Sequence, residues 1–259
     1  MNDHSLLLAC DLDGTLIGNP EALVRFRHWY TEQVDAVSAI VYASGRFVDS
    51  VVEDITALDL PKPVAIIGGL GTQVRLFPSM ATIQEWEGDL QREWNAPLVR
   101  GRLAALRRLT PQPTEFQSAL KASYFLPKAT PDELLRIHAR LNSSGLAADV
   151  IYSSNRDLDV LPAGINKGSA VAYLAWLLGY PKQRVIVCGD SANDLAMFQR
   201  RFCGVTVGNA HPELRRLCGP YVFHASRSFA DGVLEGVQHW LDSRLGQATV
   251  GEEDSAVRR

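Results

Sequence analysis

The run Leu6-Leu7-Leu8-Ala9-Cys10 is too short for a buried helix and has no polar alternation, so it reads as a strand covered on both faces. Such a strand belongs inside a sheet with helices on either side, which narrows the architecture more than any other stretch. The run ends abruptly in Asp11-Leu12-Asp13-Gly14-Thr15. In a strand-like stretch residues i and i+2 point to the same side, which would turn both carboxylates toward one ligand, with Gly14 permitting the turn. Carboxylates at the end of a buried strand need a cation or hydrogen-bond donors. A divalent metal meets that need; a solvated turn or an Asp helix cap is the plainer alternative.

Further short apolar runs, Ala39 to Ala43, Val64 to Ile67, Val185 to Cys188 and Val205 to Val207, predict strands. Amphipathic stretches of helical length lie between several of them: Glu21 to Gln33, Phe47 to Leu58, Lys167 to Leu178 and Ala192 to Arg200. Strand alternating with helix predicts an α/β fold, a doubly wound parallel sheet with helices on both faces. Ligands bind beyond the carboxyl ends of such strands, where Asp11, Ser44 and Asp190 fall.

The middle of the chain differs. A Pro- and polar-rich zone from Phe77 to Pro113 leads to strand-like segments Lys121 to Leu126, Val150 to Ser153 and Leu158 to Leu161, with a helix from Asp132 to Ser143. Ser154-Asn155-Arg156-Asp157 suits a hairpin turn. These features predict a smaller α+β domain inserted at residues 80–158, between core segments 1–79 and 159–245. Residues 246–259 are small, polar and charged, the composition of a frayed, disordered tail.

A formal net charge of −3, without any dense Lys/Arg stripe, gives no field for a nucleic-acid backbone. The longest apolar region, Ala170 to Tyr180, is too short to span a bilayer, and no basic segment with a long apolar stretch opens the chain. A soluble, cytoplasmic protein is expected. Cys10, Cys188, Cys203 and Cys218 form no CxxC pair, which fits a reducing compartment.

Cys188-Gly189-Asp190-Ser191-Ala192-Asn193-Asp194 repeats the opening logic: an apolar strand runs into acidic residues at a turn. Together with Asp11 it would supply the hard oxygen ligands that Mg2+ prefers, whereas alone Asp190 or Ser191 could simply cap the following helix. Ser44, in Tyr42-Ala43-Ser44-Gly45-Arg46, follows another apolar strand and opens a helix, a place where a hydroxyl and backbone N–H groups hold phosphate or cap the helix. Lys167, in Ile165-Asn166-Lys167-Gly168, starts a helix against its dipole; a bound anion would account for it, as would a solvated surface.

These segments, in this order and at these strand ends, resemble the haloacid dehalogenase superfamily of phosphohydrolases. The resemblance implies a core of that fold with an inserted cap. It makes Asp11 the nucleophile and Asp13 the general acid and base. Phosphate ligands would be Ser44, Gly45, Lys167 and Asn193, with Asp11, Asp13, Asp190 and Asp194 around Mg2+. The gap between Ser44 and Lys167 is the one with room for a cap, which matches the branch carrying an α+β cap after the second motif. Dehalogenases need no acid at the second Asp position, so Asp13 favours phosphoryl chemistry.

Within that branch, Lys121-Ala122-Ser123-Tyr124, the stretch from Ile151 to Pro162, and Gly204 to Ala210 resemble sucrose-phosphate phosphatases and the similar mannosylfructose-phosphate phosphatase. Ile66 to Thr72 and Ala230 to Val233 lean toward the second. The resemblance is to the shorter bacterial form, without the extra carboxy-terminal domain expected of plant sucrose phosphatases. The resemblance implies that Lys121, Ser123, Tyr124, Ser154, Asn155 and Asp157 contact the sugar. It also implies a disaccharide monophosphate substrate: sucrose 6-phosphate, or mannosylfructose phosphate as the alternative. A monomer is expected, with the cognate glycosyltransferase as an associated partner. A non-catalytic sugar-phosphate sensor or partner-binding module on the same fold is the rival class, and the intact set Asp11, Asp13, Lys167 and Asp190 favours catalysis.

Overall fold

The structure, a computed structural model, describes residues 5–33, 36–90 and 94–256. Twelve strands follow in chain order: β1 Leu7–Cys10, β2 Ala39–Ala43, β3 Ala65–Gly68, β4 Gln73–Leu76, β5 Ala81–Thr82, β6 Thr110–Pro111, β7 Ala122–Phe125, β8 Ala148–Ser153, β9 Asp157–Pro162, β10 Val185–Gly189, β11 Cys203–Thr206 and β12 Val222–His224. They form an eight-stranded sheet in the order β12-β11-β10-β1-β2-β3-β4-β5 and a four-stranded sheet in the order β6-β7-β9-β8.

From β12 to β3 the large sheet is parallel, and β4 and β5 close it as an antiparallel edge. Its central strands are apolar throughout because both faces are covered. Leu8, Cys10, Ile40, Tyr42, Ile66, Ile186 and Cys188 pack into one core with the helices Pro20–Glu32 and Val48–Ala57 and the start of Phe229–Ala256. The alternate residues Leu7, Ala9, Val41, Ile67, Val185 and Val187 pack into a second core under the helix Lys167–Leu177. A parallel sheet wound on both sides has this two-core signature. The chain leaves β1 toward β2 on one side and comes back as β10 on the other, so the crevice beyond β1 and β10 is the topological switch point.

The second sheet has its own core. Ala122, Tyr124, Leu126, Leu158 and Val160 pack against Val99 and Leu103 of the helix Ala96–Leu103 and against Ile137 and Leu141 of Pro131–Asn142. The latter helix begins at a capping box, Thr130 with Glu133, followed by Pro131. Ser154 and Asn155 turn β8 into β9 with φ of 53° and 51°, closed by the Arg156 N–H on Ser153 O.

Several details depart from pattern reading. Ala81–Thr82 still pairs with the large sheet, and residue 158 falls inside β9, which continues to Pro162. β4 and the edge strand β12 mix polar with apolar residues, so neither reads as a buried strand from pattern. Ala192 to Arg200 is a 3-10 turn, Ala192–Asp194, running into the short helix Leu195–Phe198, because the Asp194 side chain folds back onto backbone N–H groups. Helical backbone runs through Phe229–Ala256 into the segment expected to fray, and residues 257–259 lie outside the described residues.

Gly168 lets the helix Lys167–Leu177 press against the chain at Ala196: a Cβ there would lie 2.1 Å from the Ala196 carbonyl oxygen. Gly101, in the helix Ala96–Leu103, would point a Cβ into open space. Gly101→Ala should therefore stabilise the protein by about 0.5–1 kcal/mol through helix propensity. Gly168→Ala should destabilise it by about 1–3 kcal/mol through overpacking. Urea unfolding of the full chain checks both signs.

Candidate active site

The two central strands deliver the acidic groups. The Asp11 N–H donates to Cys188 O at 3.1 Å, extending the β1–β10 ladder by one residue and fixing where the aspartate leaves the sheet. Gly14 then turns the chain at φ +82°, and a Cβ on it would lie 2.4 Å from Asp190 Oδ2. Only glycine lets this loop come so close to the second acidic strand end. Asn209 bolts the loop in place, donating to Gly14 O at 2.7 Å and accepting from the Phe229 N–H at 2.8 Å. On the other strand, Asp194 Oδ2 accepts the N–H groups of Asp190 at 3.0 Å and Ser191 at 3.2 Å.

Lys167 joins these pieces. Asn166 caps its helix, its Oδ1 accepting the Ser169 N–H at 2.9 Å, and this places Lys167 in the first turn with its side chain 0% exposed. Its Nζ donates to Asp11 Oδ1 at 2.6 Å, Asp194 Oδ1 at 2.7 Å and Asn193 Oδ1 at 2.9 Å, using all three protons. Burial alone would lower the ammonium pKa; Asp11 and Asp194 overcome it and hold the pKa above its ordinary value.

Among the described residues, Asp11, Asp190 and Asp194 each bring a carboxylate oxygen within 4.8 Å of the others. One ammonium does not neutralise three carboxylates. Burial and then the Asp11 charge push Asp190 up to about 6, and the same causes raise Asp194 against the pull of Lys167. The donors are all hard oxygens, the set that suits Mg2+ rather than a soft transition metal. The cluster therefore fits a divalent cation.

Ser44 is 1% exposed. Its N–H donates to Ile67 O at 2.8 Å and its Oγ accepts the Arg46 N–H at 3.1 Å. A Cβ on Gly45 would lie 3.9 Å from Asn193 Nδ2, so the Ser44-Gly45 turn faces the Asn193 that Lys167 holds. Ser44, Gly45, Asn193 and Lys167 thus converge beside Asp11.

Asp13 takes a different place from the one expected of a metal ligand. Its side chain stands outside the three-carboxylate group, with Oδ2 lying 2.8 Å from Arg46 Nε. The reason is local: Asp13 bridges to Ile17 inside the turn, so the strand rule that aims i and i+2 together no longer holds. Its carboxylate is 59% exposed, yet the surrounding protein desolvates it enough to raise its pKa, against the lowering effect of Arg46.

The cap reaches the core through Lys121, which is 4% exposed. Its Nζ donates to Gly45 O at 3.2 Å, lies 3.3 Å from Asp159 Oδ1 and sits 5.3 Å from the centre of the Phe47 ring. Ser123 Oγ donates to the same Asp159 oxygen at 2.6 Å. The other expected sugar contacts lie elsewhere. Tyr124 points to the opposite face of β7, into the cap's own core, since side chains alternate along a strand. Ser154 and Asn155 are exposed at the hairpin tip, level with Phe125 rather than with Lys121. Asn155 accepts from Tyr152 Oη at 3.3 Å, and Asp157 accepts from Gln112 Nε2 at 3.0 Å and Arg156 Nε at 3.1 Å, all within the cap.

Sequence reasoning passed over Arg46 and Asp159. A charged residue amid Leu158, Val160 and Leu161 was the available signal for Asp159. Arg46 had none beyond its place after Ser44-Gly45.

A family profile described as Sucrose-6F-phosphate phosphohydrolase matches residues 4–241. The chain is 36% identical over 238 residues to a mannosylfructose-phosphate phosphatase of Agrobacterium fabrum, covering 90% of this chain and 96% of that protein. It is 29% identical over 259 residues to sucrose-phosphatase 2 of Nicotiana tabacum, covering 94% of this chain and 60% of the tobacco protein's length. The solved structure of a Synechocystis sucrose-phosphatase in complex with sucrose and phosphate superposes with a TM-score of 0.85 at 30% identity, covering 91% of this chain and 97% of that one.

The raised carboxylates set a pH dependence. A group that holds its proton more tightly folded than unfolded disfavours folding as pH rises through the interval between its two pKa values, here from 3.8 to about 6 for Asp190. A divalent cation reverses this by competing with the proton. Mg2+ should therefore raise the unfolding temperature at pH near 7.5, and the gain should fade as pH falls through about 6. Thermal unfolding with and without Mg2+ across this range reads it; an equal gain at both ends would place the ion elsewhere.

Proposed function

The chain belongs to the sucrose-6F-phosphate phosphohydrolase family, and from that premise we propose that it is a Mg2+-dependent phosphatase of a disaccharide monophosphate, sucrose 6-phosphate first. The observation that carries the reading is the buried Lys167 ammonium shared by Asp11 and Asp194, with Asp190 completing a carboxylate cluster beside the Ser44-Gly45 turn. A degenerate sensor has no physical need of that arrangement.

With Oδ1 tied to Lys167, Asp11 keeps Oδ2 for in-line attack on phosphorus. The phosphorus–oxygen bond to the sugar breaks as the aspartyl phosphate forms, and Asp13 gives its proton to the departing sugar oxygen. Asp13 then takes a proton from water, whose oxygen attacks the aspartyl phosphate; inorganic phosphate leaves and Asp11 is restored. Its exposed carboxylate and raised proton affinity suit a group that must be protonated in one step and ionised in the next. Ser44, Asn193 and the Gly45 N–H hold the phosphoryl oxygens, and Lys167, whose three protons are engaged without phosphate, exchanges its bond to Asn193 for one of them. Bound among Asp11, Asp190 and Asp194, Mg2+ would supply charge neutralisation for the transferring group.

The contact of Lys121 with Gly45 supports it as the cap residue that meets a sugar carried by that phosphate, with buried Ser123 bracing it through Asp159. Mannosylfructose phosphate is the second reading, supported by 36% identity across 90% of the chain. The same proposal puts a monomeric enzyme in the cytoplasm, where its free cysteines suit reducing conditions, acting on the product of a glycosyltransferase.

Phosphate release should require Mg2+, and kcat/KM for sucrose 6-phosphate or mannosylfructose phosphate should exceed that for hexose monophosphates. Asp11→Asn should lower kcat at least about 1000-fold, about 4 kcal/mol. Steady-state assays on this substrate panel, with acid trapping of labelled phosphate on Asp11, decide; label on another residue contradicts the scheme.

A further inference from the structure

We propose that Arg46, itself clamped by Asp54, is the positioning residue that aims Asp13 at the leaving oxygen. The inference deepens the phosphatase reading and rests on it. Asp13 is exposed on a turn, and a carboxylate so placed would sample several rotamers if nothing held it. Proton transfer needs it within hydrogen-bond reach of the sugar oxygen, in one orientation.

Arg46 supplies the constraint. Its Nε lies 2.8 Å from Asp13 Oδ2, while its terminal Nη2 donates to Asp54 Oδ2 on the helix Val48–Ala57. The backbone of Arg46 is pinned at both ends of its peptide, its N–H donating to Ser44 Oγ at 3.1 Å and its carbonyl accepting the Gly69 N–H at 2.8 Å. The guanidinium is 28% exposed and Asp54 22%, so this arm is more sheltered than the 59% exposed carboxylate it holds. A rigid, always charged fork between two carboxylates is a device for fixing orientation.

The contact itself has an informative flaw. Arg46 Nε makes no aligned hydrogen bond despite its closeness to Asp13. Charge steers the carboxyl group and leaves an oxygen free to carry the proton to the sugar oxygen and later to take one from water. Arg46 cannot be the acid, since guanidinium does not deprotonate in proteins. With its charge already balanced by Asp13 and Asp54, it is also poorly placed to be a primary phosphate ligand.

The test separates leaving groups. A sugar alkoxide needs a proton to depart, whereas the phenolate of dinitrophenyl phosphate does not, so only the first should feel the loss of a positioned acid. Single-turnover alcohol release reads this step apart from hydrolysis of the aspartyl phosphate. Arg46→Gln should slow release from the sugar phosphate on the order of 100-fold, and from dinitrophenyl phosphate less than about threefold, with KM nearly unchanged. Asp54→Asn, away from the reacting atoms, should show the same selectivity at smaller size, and serves where Arg46→Gln fails to fold. Arg46→Lys should restore part of the rate. In an Asp13→Asn background, Arg46→Gln should cost nothing further.

Equal losses on both substrates, or a KM rise at constant kcat, would overturn the positioning role and make Arg46 a phosphate ligand. Wild-type protein that releases neither alcohol with Mg2+ would overturn the phosphatase reading and this inference together.

Discussion

The site is organised by one ammonium enclosed by more negative charge than it can neutralise. Burying Lys167 without partners would be prohibitive, and Asp11 and Asp194 at 2.6 and 2.7 Å make it tolerable. The reverse also holds, since removing the lysine would leave acidic groups facing each other in a desolvated crevice. The three-carboxylate cluster retains a negative excess that the protein does not cancel internally. That excess suits a divalent cation, which under the proposed function would in turn draw in a phosphate dianion that the carboxylates alone would repel. Buried ion pairs are usually weak contributors to stability; here the arrangement is better understood as poised chemistry than as a fastening.

The core was legible because a doubly wound sheet imposes a simple code. Strands covered on both faces become unbroken apolar runs, as in β1 and β10, and the acidic groups stand out at their carboxyl ends, where the chain leaves the core. The code failed where side-chain direction is set by tertiary packing. Asp13 follows Asp11 by two residues, but the turn bridging Asp13 to Ile17 rotates it away from the cluster and toward Arg46. The resemblance implied Tyr124 as a sugar contact, yet the alternation along β7 sends it into the cap core and leaves Ser123 on the other face. The hairpin tip was recognised as a turn, whereas its distance from Lys121 depends on register, which emerges only once β7, β8 and β9 are paired.

Lys121 and Asp159 illustrate a second limit. Lys121 is singled out in sequence by resemblance and Asp159 by its charge among apolar neighbours, but their pairing comes only from being buried together at the junction of two domains. Asp159 accepts from Ser123 within the cap while lying beside the lysine that donates to Gly45 O in the core. The cap is thereby tied to the same turn that carries Ser44. A change in how the cap sits bears directly on the Ser44-Gly45 turn, so under the proposed function substrate choice and phosphate binding would share a boundary.

Close backbone approach holds the acidic strand ends far more tightly than it holds the outer parts of the cap. A Cβ on Gly14 would strike Asp190 Oδ2 at 2.4 Å, one on Gly168 would strike Ala196 O at 2.1 Å, and one on Gly189 would strike Asp194 Cβ at 2.6 Å. These three contacts set the spacing of the two acidic strand ends and of Lys167, and any side chain larger than hydrogen would pry them apart. The cap has no such constraint at Gly101 or at the exposed hairpin tip, where substitutions meet open space or solvent. The acidic strand ends and Lys167 are therefore held by contacts that tolerate almost no variation, while positions of the cap away from the contact of Lys121 with Gly45 can change without disturbing them.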